Sequence, residues 1–152
     1  MLQHAAVLFE SQSILLVDPD SEEACLIREV LQSERINNAV HVVTDGTEAV
    51  RYLSAQGPYA DRMLYPLPCF ILLDLTAPNG FELLQWVREH VQFRRMPVVV
   101  LTSTTEPEHI SRMYALGANS YLIKPFDPAK LRELVKAINA YWVILVQKPT
   151  FR

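Results

Sequence analysis

Residues 98–128, VVVLTSTTEPEHISRMYALGANSYLIKPFDP, place two short apolar runs, 98–101 and 121–123, on either side of a segment with capping-box spacing at Thr105 and Glu108. Both runs are continuous rather than alternating, the pattern of strands covered on both faces. A strand, a helix and a second strand with short connections predict parallel pairing, because the crossover returns over the sheet in a right-handed sense.

The same unit recurs towards the N-terminus. Residues 14–17 and 70–73 are further apolar runs, and 39–43 is a fifth candidate strand. Helix signals stand between them: Asp45 with Glu48 has capping-box spacing, and Asp127 followed by Pro128 is an N-cap with proline at the first helical position. Leu131, Leu134, Val135, Ile138 and Trp142 then recur at the spacing of one helix face. The expected fold is α/β, a doubly wound five-stranded parallel sheet with helices on both faces. In such folds a ligand crevice lies beyond the carboxyl ends of the strands, so the residues that end each run are the first candidates for function.

Composition narrows the classes. The chain has 152 residues, half of them hydrophobic, with a formal net charge of -3. Its basic residues are scattered, so no nucleic-acid partner is expected. Cys25 and Cys69 have no metal-ligand or redox spacing and read as buried thiols in a reducing compartment. No apolar run approaches the ~20 residues of a membrane span, and MLQHAAVLFE lacks a basic signal-like start, so a soluble, cytoplasmic protein is expected. Residues 57–68, with three prolines and one glycine, read as an ordered surface loop. The expected organisation is an N-terminal extension over 1–12, one domain over 13–140 and a C-terminal arm over 141–152.

The strand ends carry Asp18, Asp74, Thr102 and Lys124-Pro125. Two carboxylates, a hydroxyl and an ammonium at one sheet edge suit a phosphoryl group and a hard cation: carboxylates ligate Mg²⁺, while Lys and a hydroxyl hold phosphoryl oxygens. An Asp carboxylate can itself be the nucleophile and form an acyl phosphate. Asp20, with Glu23 at capping-box spacing, reads first as a helix cap. His4, His41, His90 and His109 show no ligand or nucleophile spacing, and no catalytic role is assigned to them.

Asp74, then Pro78 and Gly80, then Thr102-Ser103, then Gly117-Ala118-x-x-Tyr121 before Lys124-Pro125-Phe126, is an ordered set that resembles the CheY-like response-regulator receivers across 13–140. The segments VLTST and GANSYLIKPFD, the long loop before the third strand and the ending AINAYWVILVQKP are similar to the stand-alone receivers that partner phytochrome-type histidine kinases. The resemblance implies a flavodoxin-like strand order of 2-1-3-4-5 and a phosphorelay switch that is not an enzyme in its own right. It implies Asp74 as phosphoacceptor, Thr102 as switch hydroxyl, Lys124 as phosphate-binding lysine, Tyr121 as rotameric aromatic, and a cis Lys124–Pro125 bond. Mg²⁺ would be held by Asp18, Asp74 and the backbone carbonyl of Thr76, with Asp20 as a further candidate. The partner would be a sensor histidine kinase, such as a bacteriophytochrome.

The chain departs from that pattern twice. Pro19 stands where receivers carry a second acid, so a cation ligand is lost and weaker Mg²⁺ binding is expected. The segment Leu75-Thr76-Ala77-Pro78-Asn79-Gly80 is two residues shorter than usual between Pro and Asn-Gly. These departures motivate an alternative, a degenerate pseudo-receiver acting as a phosphorylation-independent interaction or dimerisation module. A flavin enzyme on a similar fold is disfavoured, because the loop after the first strand is the acidic DPDSEE rather than a phosphate cradle. The apolar arm around 142–146 predicts a homodimer, with fold-back onto the same chain as the competing arrangement.

Overall fold

The computed structural model describes residues 13–33, 39–103 and 105–141. The N-terminal extension, His4, and the arm from Trp142 onward lie outside the described residues. Strands and helices alternate as β1 (Ser13–Val17), α1 (Ser21–Gln32), β2 (Ala39–Val43), α2 (Gly46–Leu53), β3 (Phe70–Asp74), α3 (Gly80–Glu89), β4 (Val98–Thr102), α4 (Pro107–Ala115), β5 (Ser120–Ile123) and α5 (Pro128–Asn139). All strand pairs are parallel, in the order β2-β1-β3-β4-β5. This is the expected doubly wound, CheY-like arrangement.

The apolar runs explain the layers. Every residue of β1, β3 and β4 is buried, whereas the edge strands β2 and β5 are only partly covered. Alternate residues along each strand point to opposite faces, so Leu15, Val17, Ile71 and Leu73 join a core with α2 and α3. Ile14, Leu16, Phe70 and Leu72 pack instead against Ile27, Leu31, Leu131 and Val135 from α1 and α5.

Helix starts follow local chemistry, with one correction. Asp20 accepts from the Glu22 and Glu23 amides, Asp45 from Glu48 and Asp127 from Ala129, as their positions predict. The fourth helix is not capped by Thr105: it begins at Pro107, with Glu106 as the flanking residue and no side-chain cap. Proline's fixed φ sets the first helical residue, two positions after the expected cap. The Lys124–Pro125 bond is trans, like every described peptide bond, contrary to the implied cis form; the modest intrinsic trans preference of an X–Pro bond prevails. Cys25 is exposed rather than buried, because Ala24 and Ile27 take the inward face of α1; Cys69 is half-buried, and neither forms a disulfide.

The 57–68 loop is ordered by a tyrosine cluster and one arginine. Its first turn is a 3-10 helix, Gly57–Tyr59. Tyr59 donates to Glu48 and Tyr52 to the Pro66 carbonyl, both at 2.8 Å. The Arg62 guanidinium donates to the carbonyls of Tyr52, at 2.9 Å, and Leu53, filling acceptors that the end of α2 leaves open. Among the described residues no helix is long and apolar enough to cross a membrane.

Candidate functional site

The carboxyl ends of β1, β3, β4 and β5 deliver their terminal residues to one edge, because all four strands run the same way. Asp74 ends β3 and Asp18 follows β1; each is 1% exposed. Asp74 Oδ2 accepts from Lys124 Nζ at 2.6 Å, and Asp74 Oδ1 accepts from the Thr76 amide at 2.9 Å and Thr76 Oγ1 at 2.7 Å. Thr102 ends β4 and is buried, and its carbonyl accepts from the Lys124 amide at 2.7 Å, tying the two strand ends together. Asp18, Asp74, Thr102 and Lys124 are therefore brought to one edge.

Asp20 is not part of this cluster. Its Oδ1 caps α1, accepting from the Glu22 and Glu23 amides at 3.0 and 3.2 Å. Glu23 takes a place that the sequence reading overlooked: Lys124 Nζ donates to its two carboxylate oxygens at 3.0 and 3.1 Å. One oxygen each from Asp18, Glu23 and Asp74 lies within 4.8 Å of the others. The missed signal is one of phase, since Glu23 lies four residues before the inward-facing Ile27 and helical side chains tilt towards the N-terminus, here the strand ends. In a full capping box the Glu23 carboxylate would return to the Asp20 amide; that amide donates instead to Asp18 Oδ1 at 2.9 Å, leaving Glu23 to turn inward.

Burial and mutual contact set the protonation states. Burial raises Asp18 above the ordinary carboxylate value. Burial first, then its hydrogen bond with Asp74, pushes Glu23 up to about 8. Burial also works against the charge on Asp74, but hydrogen bonds from Glu23, Lys124 and Thr76 outweigh it and hold Asp74 below its usual value. Lys124 loses solvation too, yet its contacts with Asp74 and Glu23 raise it. The charged forms of Asp74 and Lys124 are thus the ones their contacts favour. Asp18 Oδ2, a buried acceptor, has no hydrogen-bond partner. Such an orphan in a carboxylate cluster suits a hard divalent cation.

Tyr121 stands beside the site. Its hydroxyl is hydrogen-bonded to the Thr102 side chain and lies 3.1 Å from His109 Nδ1. His109 meets the Phe81 ring edge-on, and the Arg112 guanidinium covers that ring at 4.0 Å. The strand-end hydroxyl is in this way linked to the outer face of α4.

The rim after Asp74 is compact. The Gly46 amide donates to the Pro78 carbonyl at 2.8 Å, and Asn79 Nδ2 donates to Thr47 Oγ1 at 3.0 Å. Asn79 adopts a left-handed φ of 61° as the chain turns into α3. The shortened segment is thereby stapled onto the start of α2. On the opposite side, a cleft of about 500 Å³ opens beside Lys124 between α1 and the β5–α5 connection, lined by Asp20, Glu23, Leu26, Phe126 and Leu131.

The chain as a whole is similar to known proteins. Residues 14–136 match the response regulator receiver domain. The response regulator Rcp1 of Synechocystis sp. is 33% identical over 138 residues, covering 90% of this chain and 92% of Rcp1. The phosphorylated cyanobacterial phytochrome response regulator RcpA superposes with a TM-score of 0.85 at 33% identity, over 91% of this chain and 99% of that one. The Mn²⁺-bound form of Rcp1 superposes at 0.83, with the same identity and coverage. Matched in sequence over most of its length and in structure down to the strand order, this chain belongs to the response regulator receiver family.

Proposed function

We propose that the chain is a single-domain response regulator whose Asp74 accepts a phosphoryl group from a sensor histidine kinase, of the phytochrome type by kinship with Rcp1 and RcpA. The observation that carries this reading is Asp74 itself, a buried strand-end carboxylate held ionised with one oxygen 2.6 Å from the Lys124 ammonium. A carboxylate oxygen attacks the phosphorus of an N-phosphohistidine, the P–N bond breaks, and its electron pair leaves on the imidazole, which takes up a proton. Lys124 stays beside the acyl phosphate and offsets the added charge of about two units. The Thr102 hydroxyl turns to a phosphoryl oxygen and gives up Tyr121, so the state of Asp74 reaches the α4–β5 face.

Asp18 and Asp74, with the Thr76 backbone carbonyl, are the residues that would hold Mg²⁺, and the orphaned Asp18 Oδ2 supports this assignment. When bound, the cation supplies positive charge against the phosphoryl oxygens. The cleft next to Lys124 provides the approach for a kinase side chain, with Phe126, 95% exposed, at its mouth. The protein acts in the cytoplasm by binding rather than by turnover of a substrate, and pairs as a homodimer to which the C-terminal arm contributes.

The test is intact mass after incubation with Mg²⁺ and acetyl phosphate. Wild type should gain one phosphoryl group and Asp74→Asn none. A chain that gains nothing from either acetyl phosphate or a phosphorylated kinase domain would be a phosphorylation-independent interaction module instead.

A further inference from the structure

We propose that Glu23, reaching from the first turn of α1, supplies the cation-ligating carboxylate that Pro19 removes from the end of β1. The proposal rests on the reading that Asp18 and Asp74 hold a divalent cation, and it adds the third side-chain ligand.

Three observations lead here. Proline at 19 offers no carboxylate, so a site built from strand-end acids alone has only Asp18 and Asp74. The nearest substitute along the chain, Asp20, is committed to the helix cap through two amide donors and is not among the grouped carboxylates. Glu23 occupies the opening instead, with an oxygen within 4.8 Å of oxygens from both Asp18 and Asp74. Octahedral Mg²⁺ has ligand distances of about 2.1 Å, which places its ligands about 3 to 4 Å apart, so side-chain rotation alone can close the set.

An acidic group could simply be a local ion-pair network around Lys124. Asp18 argues otherwise: it is 1% exposed, its Oδ1 accepts from the Asp20 amide, and its buried Oδ2 has no hydrogen-bond partner. Lys124 satisfies Asp74 and Glu23 but makes no hydrogen bond to that oxygen. A buried carboxylate oxygen without a donor costs free energy unless something positive meets it. A cation placed there touches Asp18, takes one oxygen of Asp74, and draws Glu23 away from Lys124. The ammonium is then left to Asp74 alone, where a phosphoryl group would be formed.

The arrangement also accounts for the length of the side chain. A ligand at position 19 sits on the loop directly after the strand, where an aspartate suffices. A ligand one helical turn farther on needs the extra methylene of glutamate. Asp20 caps α1 so that the helix starts at Ser21, three residues after Asp18.

The experiment is calorimetric titration of the full chain with Mg²⁺, and separately with Mn²⁺, in the absence of any phosphodonor. Proteins compared are wild type, Glu23→Gln, Asp20→Asn, Pro19→Asp, and the Pro19→Asp/Glu23→Gln pair. Loss of a ligand should weaken binding about tenfold or more in Glu23→Gln, while Asp20→Asn stays within about twofold once its folding is confirmed. Pro19→Asp should restore most of the affinity in the Glu23→Gln background and add much less to wild type, since the two acids serve one position.

Glu23→Gln binding like wild type would overturn the proposal. So would Pro19→Asp adding the same factor in both backgrounds, or a wild-type chain that binds neither cation. Should Glu23→Gln fail to fold, Glu23→Asp takes its place: its shorter reach should weaken binding, and unchanged affinity would again count against the assignment. A chain that binds cation through Glu23 yet gains no phosphoryl mass would sink the acceptor reading while leaving this one intact.

Discussion

Burial, and then its contact with Asp74, push the Glu23 carboxyl up to about 8 from an ordinary value of 4.5. The folded chain therefore holds a proton that the unfolded chain has already lost, from just above pH 4.5 up to 8. Stability falls with pH wherever the native state binds more protons, so the cation-free protein should lose stability progressively across that window. Asp18, raised in the same direction, adds to the trend; Asp74, lowered, acts oppositely and only in acid. Thermal melting in chelator between pH 5 and 8.5 should show a falling melting temperature for wild type and a flatter profile for Glu23→Gln. Parallel profiles would place the shared proton elsewhere. Of the site residues, Asp18, Asp74, Thr102 and Lys124 were legible because each ends or follows an apolar run. Glu23 was not, because a glutamate at the third position of a helix has an ordinary explanation in capping. Only the structure shows that the Asp20 amide is already engaged by Asp18.

Helices are held to the sheet by a few side chains that satisfy several carbonyls at once. Arg88 on α3 is the clearest: its guanidinium donates to Gly117 O at 2.9 and 2.6 Å, to Met96 O at 2.6 Å and to Asn119 Oδ1 at 2.8 Å. It thus joins α3 to the turns that lead into β4 and β5. Arg88→Leu keeps much of the apolar stem but strands these acceptors, and a buried unsatisfied acceptor costs about 1–3 kcal/mol. Denaturant unfolding should show a loss of at least that size; a smaller loss would mean water replaces the guanidinium. Gly117, at a φ of 96°, permits the approach, since a Cβ there would lie 2.6 Å from Arg88 Nε. Element types were readable from periodicity and Asp caps, and 39–43 coincides with β2. The start of α4 was misplaced because Thr105 and Glu108 imitate a cap while Pro107 sets the helix.

At the scale of the whole molecule, the strand order decides that β1 and β3 are neighbours, with β4 beside β3. Side chains about 55 residues apart in sequence then share one edge, a fact no local pattern contains. The proposed dimer draws on the far end of α5, where Tyr141 is 55% exposed and the sequence continues as Trp142-Val143-Ile144-Leu145-Val146. Removing residues 142–152 should convert the proposed dimer to a monomer by light scattering, with the receiver fold retained by circular dichroism. A truncated chain that still dimerises would assign the interface to another face. Gly46 has a different reach. A Cβ at that position would lie 2.0 Å from the Asn79 carbonyl oxygen, so the absence of a side chain on one helix and the brevity of a loop 30 residues away are one geometric solution. In a library randomised at position 46 and in loop length after Asp74, the two should covary: larger residues at 46 would survive only with an insertion before Asn79.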